Sequence, residues 1–257
     1  MDLWSLRSLG KVRLLRALAA LAFSVRYRHG KIYVIPRGPL AGCRWRHHRS
    51  HQYWIPMGLY EPQTARSIQG ALSPGAVLFD IGANAGYFAL VGSRSVGAQG
   101  FVVAFEPIAE NADAIRAQLA LNHVTNVDVV SVAASDVSGR AEFVLERRNT
   151  NSHLREVAIA HAASHPERID IVETITVDEY VSKTGHRPSV IKIDVEGAEH
   201  KVLSGARQTL VQNHPLCVIA THSTELRQQC TKLLEYCGYR ISRLPRSKHG
   251  IVATFEH

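Results

Sequence analysis

The run Leu78–Phe88, LFDIGANAGYF, decides how the rest of the chain is read. An apolar stretch ends in Asp80, turns through Gly82 and Gly86, and passes into a helical pattern. A second apolar stretch ends in AFEP, which sets Glu106 twenty residues beyond Gly86. This is the layout of a nucleoside-binding βαβ unit. The glycines let the backbone approach a ligand, and the downstream carboxylate accepts hydrogen bonds from ribose hydroxyls. The dinucleotide fingerprint G-x-G-x-x-G lacks its middle glycine here, because Ala83, Asn84 and Ala85 separate Gly82 from Gly86. A pyrophosphate needs that closer approach, whereas a ligand with an amino-acid tail does not. The spacing therefore leans toward S-adenosylmethionine and away from NAD. Glycine turns of this kind also occur in α/β proteins that hold no ligand.

Outward from this unit, apolar runs alternate with helical patterns, which predicts an α/β fold with a doubly wound, mostly parallel sheet. Strands are expected near Val77–Ile81, Phe101–Phe105, Val127–Val132, Val190–Ile193 and Leu216–Ala220. They are short and almost wholly apolar, as strands buried on both faces are. Between them, Ile108, Ala112, Ile115 and Leu119 recur at helical spacing behind Pro107, a residue favoured at helix starts. The chain closes with GYRISRL and GIVATFEH around a PRSKH turn, the pattern of a C-terminal antiparallel hairpin. An insertion from Arg140 to about Ile175 carries two further strand-like runs, AEFVLE and DIVETIT, around a polar segment with Asn149, Asn151, Ser152 and His153. Polar insertions near strand ends often cover active sites.

The first sixty residues differ in character. Residues 1–50 hold eleven Lys or Arg against Asp2 alone, while the whole chain of 257 residues carries a formal charge of +8, so only the front is basic. Leu14, Leu15, Leu18, Leu21, Ala22 and Val25 lie at helical spacing, with Trp4 ahead of them. Such a basic amphipathic helix either lies on an anionic membrane surface or packs on the main domain with a solvated edge. Nucleic acid is not expected as a partner, because the predicted core is not basic. KIYVIP and QYWIP, separated by RGPLAGCRW, read as a small hairpin or meander, and residues 61–75 as a helix closed by Ser73-Pro74-Gly75. The expected division is a basic N-terminal extension over 1–60, packing on the core, and a catalytic domain over 61–257. No run reaches the roughly 18 to 20 apolar residues that span a bilayer. The four cysteines form no C-x-x-C pair and read as buried thiols of a reducing compartment. A cytoplasmic location is expected, with peripheral contact at the inner face of the membrane through residues 1–30 as the extension of the first alternative.

The second chemical motif is Val190–His200, VIKIDVEGAEH. Strand alternation puts Lys192 and Asp194 on one face, Glu196 and Gly197 form a turn, and Glu199 falls in the first turn of a helix through Ala198, Val202, Leu203, Ala206 and Leu210. An acid in that first turn also favours the helix dipole by about 0.3 to 1 kcal/mol, a purely structural reason for Glu199. Ligands of open α/β sheets sit beyond the carboxyl ends of the strands, so Asp80, Glu106 and Asp194 are expected to face one crevice.

Together, DIGANAGYF, AFEP, AASDVSG, ITVDEY and IKIDVEGAEH resemble the FkbM-type methyltransferase family over roughly Gly58 to Tyr239, with GLYEP at Gly58–Pro62 similar to its opening segment. The resemblance implies a class I, Rossmann-like, S-adenosylmethionine-dependent enzyme that methylates hydroxyls of sugars, glycan precursors or natural-product scaffolds. It implies that Asp80, Gly82, Asn84 and Gly86 hold the methionine end of the cofactor, Glu106 its ribose and Asp136 the adenine amino group. Asp194, Glu196 and Glu199 would line the acceptor side. One departure is VIATHS, where Thr221 stands in place of the acid that family members often carry before the histidine.

Methyl transfer to a hydroxyl calls for a base within hydrogen-bond reach. Asp194 and His222 lie at neighbouring predicted strand ends. Asp194 is favoured by the resemblance, and His222 by its resting pKa. Glu61, ahead of Pro62, and Tyr60 are further candidates for reaching cofactor or acceptor. Asp194, Glu196 and Glu199 could hold magnesium, but nothing in their spacing demands it, and no metal is expected. His47, His48 and His51 lack the partners of a zinc site and read as a solvated basic loop, and the pair His161 and His165 is treated alike. Two other classes are disfavoured. A nicotinamide-dependent oxidoreductase would want the intact glycine fingerprint, and a nucleic-acid methyltransferase a different strand-end motif.

Overall fold

A computed structural model describes residues 27–48, 54–145, 152–154, 168–245, 247 and 249–256. The amphipathic stretch Leu14–Val25, His51, Asn149, Asn151, His161 and His165 lie outside them. Two compact units are present, Met1–Tyr60 and Glu61–His257.

In the first unit, β1 (Ile32–Val34) pairs antiparallel with β2 (Arg44–Arg46), setting Tyr33 opposite Trp45. The partner is thus not the expected QYWIP run, of which Gln52 and Tyr53 lie outside the described residues. Residues 54–58 form turns, and the strand comes from the end of RGPLAGCRW. Packing explains the difference: Trp45 is fully buried, and turns at Gly38 and Gly42 fold Arg44–Arg46 back onto the first strand. His47 is buried too, and burial, with His48 and His29 nearby, pushes its pKa down to about 4. A solvated loop therefore describes His48 but not His47.

The second unit opens with helix α1 (Pro62–Ala71) and is built on a seven-stranded sheet. Its parallel part comprises β3 (Val77–Ile81), β4 (Phe101–Phe105), β5 (Val127–Val130), β10 (Val190–Ile193) and β11 (Leu216–Ile219). The closing hairpin, β12 (Tyr239–Arg243) and β13 (Ile251–Phe255), completes the order β12-β13-β11-β10-β3-β4-β5. Strand β13 runs antiparallel between β11 and β12. This is the expected doubly wound α/β sheet, mostly parallel, with its closing antiparallel hairpin. Successive strands run outward from β3 to β5, and the chain then returns to the other side of β3 as β10. That reversal is the topological switch point, where an open sheet leaves a crevice beyond its strand ends. Apolar side chains on both faces hold the sheet: Phe79, Phe105 and Tyr180 pack edge to face, with ring centroids 4.9 to 5.6 Å apart.

Two details depart from the sequence pattern. Strand β5 ends at Val130, and Ala133–Ala134 (β6) joins a second sheet with β7 (Gly139–Leu145), β8 (His153–Leu154) and β9 (Arg168–Ile175) in the order β6-β9-β7-β8. The long helix expected after Asp194 is broken into α5 (Glu199–Ser204) and α6 (Arg207–Asn213), numbered after α2 (Tyr87–Val96), α3 (Ala109–Leu121) and α4 (Val177–Thr184). The break has a donor-level cause. The Gly205 carbonyl accepts from the Asp178 backbone N–H at 2.9 Å, and the Asp178 carboxylate takes the N–H groups of Gln208 and Thr209. Those are orphan donors at the start of a new helix, satisfied from outside it.

The second sheet also bears on the crevice. Phe143 and Leu154 bury themselves with Ile108, Ala133 and Ala198, and Val195 packs against this cluster. The insertion thus braces the segment that follows Asp194.

Candidate functional site

Two loops flank the switch point. The first leaves β3 through Gly82, Asn84 and Gly86, all with positive φ, before α2 begins. Asn84 adopts φ 50°, which is uncommon for a residue with a side chain. Its reward is a hydrogen bond from its N–H to Glu106 Oε2 at 2.8 Å. Glu106 also accepts from the Ile108 N–H at 3.1 Å and from Asn111 Nδ2 at 3.2 Å, so one carboxylate ties the ends of β3 and β4 together. Burial raises the Glu106 pKa to about 7, with these three donors pulling the other way.

The second loop leaves β10 through Asp194, Val195, Glu196 and Gly197, and Glu196 has φ 52°. The two loops touch at Gly82: a Cβ there would sit 2.0 Å from the Asp194 carbonyl oxygen. Only glycine permits that approach, and it is what brings the loop after β3 against the loop after β10.

Beneath the contact lies Lys192. A lysine in an otherwise apolar buried strand needs partners. Its Nζ lies 3.2 Å from Asp80 Oδ1, donates to the Gly82 carbonyl at 2.8 Å, stands 3.9 Å from Asp194 Oδ2 and sits 5.4 Å from the centre of the Phe88 ring. Burial alone would lower the Lys192 pKa, but Asp80 and then Asp194 and Glu61 hold it above its ordinary value. Asp80 is 0 % exposed, so it does not open onto the crevice as its position in LFDIG suggests. It falls one residue short of the strand end and acts on the loop through Lys192.

The acids that follow β10 converge on His222. His222 precedes Ser223, whose side chain caps α7 (Thr224–Tyr236) by accepting from the Leu226 N–H. This fixes the imidazole at the end of β11, beside β10. His222 Nδ1 lies 2.9 Å from Glu199 Oε1, and Nε2 lies 3.2 Å from Glu196 Oε2 and 3.5 Å from Asp194 Oδ1. Glu199 Oε1 also accepts from the N–H groups of Val195 and Gly197. The Glu199 side chain is fully buried, so it stands behind His222 instead of lining the surface. Burial would lower the His222 pKa, but the hydrogen bond it donates to Glu199 and the charges of Glu199, Glu196 and Asp194 raise it to about 9. Burial raises that of Glu196 to about 7. Among the described residues, Asp194, Glu196 and His222 are the one group of three acid, histidine or cysteine side chains disposed to share a metal ion.

The remaining candidates lie at the edges. Glu61 accepts from Thr64 Oγ1 at 3.0 Å, and its charge is felt by both Tyr87 and Lys192. Asp136 is exposed beyond β6, 3.5 Å from Lys201 Nζ, with Ser135 Oγ donating to it. Lys192 is the residue to which sequence reasoning assigned no role, although a lone lysine within VIKI was the signal for it.

Among solved structures, the chain is similar to a methyltransferase FkbM from Methylobacillus flagellatus KT at 18 % identity, covering 70 % of this chain and 44 % of that one, with a TM-score of 0.49. It thus spans less than half the length of that protein. It is similar to a ribosomal protein L11 methylase from Lactobacillus delbrueckii subsp. bulgaricus at 10 % identity, covering 78 % and 80 % of the two chains, with a TM-score of 0.51. A fibrillarin from Aeropyrum pernix with bound S-adenosyl-L-methionine gives 11 % identity, 74 % and 72 % coverage and a TM-score of 0.46. At these identities the likeness is one of fold. No curated protein matches the chain. Residues 80–241, from the buried Asp80 through the His222 cluster to the first strand of the closing hairpin, match the family profile described as the methyltransferase FkbM domain. With more than half of its length matched, the chain belongs to the FkbM methyltransferase family.

Proposed function

We propose that this protein is an S-adenosylmethionine-dependent O-methyltransferase acting on a hydroxyl of a sugar, a glycan precursor or a natural-product small molecule. The observation that carries this reading is the contact at Gly82, where a loop suited to a nucleoside ligand meets the strand end bearing Asp194, within 2.0 Å of a would-be side chain. A methyl donor on one loop and a hydroxyl on the other would then face each other across a single crevice.

In this reading, the backbone from Gly82 to Gly86 cradles the methionine end of the cofactor, with Asn84 held in place by Glu106. Glu106 accepts from the ribose hydroxyls, and Asp136 from the adenine amino group. Asp80 contributes through Lys192, which holds the Gly82 carbonyl. Glu61 reaches the same pocket from the start of α1.

The reaction is an in-line displacement. The acceptor oxygen forms a bond to the methyl carbon as the carbon–sulfur bond breaks, giving a methyl ether and S-adenosylhomocysteine. Holding oxygen, carbon and sulfur collinear supplies much of the rate gain. The hydroxyl proton passes to the Asp194 carboxylate and from there to water. His222 is less suited to accept it, because three carboxylates keep the imidazole protonated near neutral pH. Its part is to hold Asp194 and Glu196 in register.

Calorimetric titration with S-adenosylmethionine and with NAD tests the cofactor, using the Glu106→Ala variant as control. Saturable S-adenosylmethionine binding that weakens in the variant supports the reading, and binding of NAD alone overturns it. Transfer of labelled methyl groups to a panel of sugars then tests the acceptor class.

A further inference from the structure

The geometry points to a divalent-cation site formed by the carboxylates of Asp194 and Glu196 and Nε2 of His222. The three donor groups come from two loops that are far apart in sequence, and their ligand atoms lie within 4.8 Å of one another. The individual separations are more telling. Nε2 is 3.2 Å from one Glu196 oxygen and 3.5 Å from one Asp194 oxygen. Ligands held about 2.0 to 2.2 Å from a common ion, at right angles or tetrahedrally, lie roughly 2.8 to 3.6 Å apart.

The surroundings of the imidazole point the same way. Glu199 is not one of the three donors. It is fully buried, faces Nδ1 at 2.9 Å and has its second oxygen, Oε2, buried with no hydrogen-bond partner. A carboxylate on the far nitrogen of a metal-binding histidine fixes its tautomer and aims the other nitrogen at the ion. Here Nε2 is aimed between two carboxylates.

Charge supplies a third argument. Asp80, Asp194, Glu196 and Glu199 cluster around Lys192 and His222, and Lys192 Nζ is closest to Asp80 Oδ1 and the Gly82 carbonyl. Neither Glu196 nor Glu199 has a lysine or arginine partner among the described residues. A cation between Asp194, Glu196 and His222 would balance the excess where it is greatest.

The donor set selects the ion. One imidazole with two carboxylates suits manganese, iron(II), cobalt or zinc better than magnesium, which prefers oxygen alone. Three protein ligands leave coordination positions free, and resting on the acceptor-side reading above, one of these would take the acceptor hydroxyl. Vicinal hydroxyls of a sugar could fill two.

The test is titration of the purified full chain with manganese(II), followed by calorimetry and by loss of the free-ion electron paramagnetic resonance signal, at about pH 8, where binding must displace the proton that His222 otherwise holds. One site per chain is expected. His222→Ala and Glu196→Gln should each weaken it at least about tenfold. Glu199→Gln should cost about 10- to 100-fold through misorientation of the imidazole. Glu173→Gln, in an exposed ion pair, should leave binding unchanged. Thermal melts establish that each variant is folded, and Glu196→Gln, on a turn, carries the comparison should His222→Ala fail to fold. Absence of manganese binding, or binding indifferent to His222→Ala and Glu196→Gln, overturns the site and leaves a protonated imidazole as the bridge between the carboxylates. S-adenosylmethionine titration of the same preparations separates this failure from failure of the methyltransferase reading, since neither measurement depends on the other.

Discussion

Lys192 Nζ lies 3.2 Å from Asp80 Oδ1 in a pair that water does not reach, with the two side chains 4 % and 0 % exposed. The pair joins adjacent strands whose registers set Lys192 directly beside Asp80. Through the Gly82 carbonyl it also fixes the loop that follows. A buried ion pair of this kind adds little net stability compared with apolar residues, but it orients what it touches.

Removing one partner should therefore cost far more than removing both. Lys192→Met is expected to destabilise the fold by about 3 to 5 kcal/mol, because it strands a buried carboxylate. The double variant Lys192→Met/Asp80→Asn should recover a large part of that loss. Urea denaturation of the two single variants and the double variant checks this, and additive losses would contradict the pairing.

Gly82 and Gly185 form a natural comparison, since both have φ near 75° but only Gly82 faces a neighbour. Gly185→Ala should cost about 1 to 2 kcal/mol, the ordinary penalty for a side chain in the left-handed region. Gly82→Ala should cost clearly more, because its Cβ would lie 2.0 Å from the Asp194 carbonyl oxygen. It should also reduce S-adenosylmethionine affinity, whereas Gly185→Ala should not. Equal effects in the two variants would argue against a functional contact between the loops.

Glu106 makes a signed prediction about pH. Its carboxyl is raised from 4.5 to about 7 in the folded protein, so the folded state holds that proton more tightly than the unfolded chain does. Its contribution to stability is present below the unfolded value and is lost as pH rises through about 7. The loss is on the order of 1 to 3 kcal/mol. Glu106→Gln should flatten this part of the stability profile. Ligand binding should run in the opposite direction, because the ionised carboxylate is the better acceptor for ribose hydroxyls. S-adenosylmethionine affinity should thus increase with pH in the parent protein and stay level in the variant, as calorimetry at several pH values will show.

Asp194→Asn separates chemistry from cofactor binding. Methyl transfer in single turnover should fall by about 10²- to 10⁴-fold, the usual range for loss of a general base. S-adenosylmethionine affinity should change little, since the proposed reading puts Asp194 on the acceptor side. A large loss of cofactor binding would move Asp194 to the other side of the reaction.

The parallel strands could be read residue by residue from local pattern. Val77–Ile81, Phe101–Phe105 and Val190–Ile193 occupy the positions that their uninterrupted apolar runs indicate, because a strand buried on both faces must be apolar throughout. The glycine turn after Asp80 and the acid after the second strand were legible for the same reason: short-range backbone geometry dictates both. Pattern failed where a distant group supplied the deciding bond. The helix after Asp194 is interrupted because Asp178, on a different helix, takes the donors of Gln208 and Thr209, and the strand paired with Ile32–Val34 is the one that carries the fully buried Trp45. Asp80 reads from the sequence as an open strand-end ligand, but the fold sets Lys192 beside it and buries it. The meeting of His222 with Asp194, Glu196 and Glu199 is of this second kind. Periodicity reports which residues share a face of one element, but not which strand ends become neighbours. That depends on the crossover of the chain from one side of β3 to the other, and it is this crossover that turns three separate motifs into one crevice.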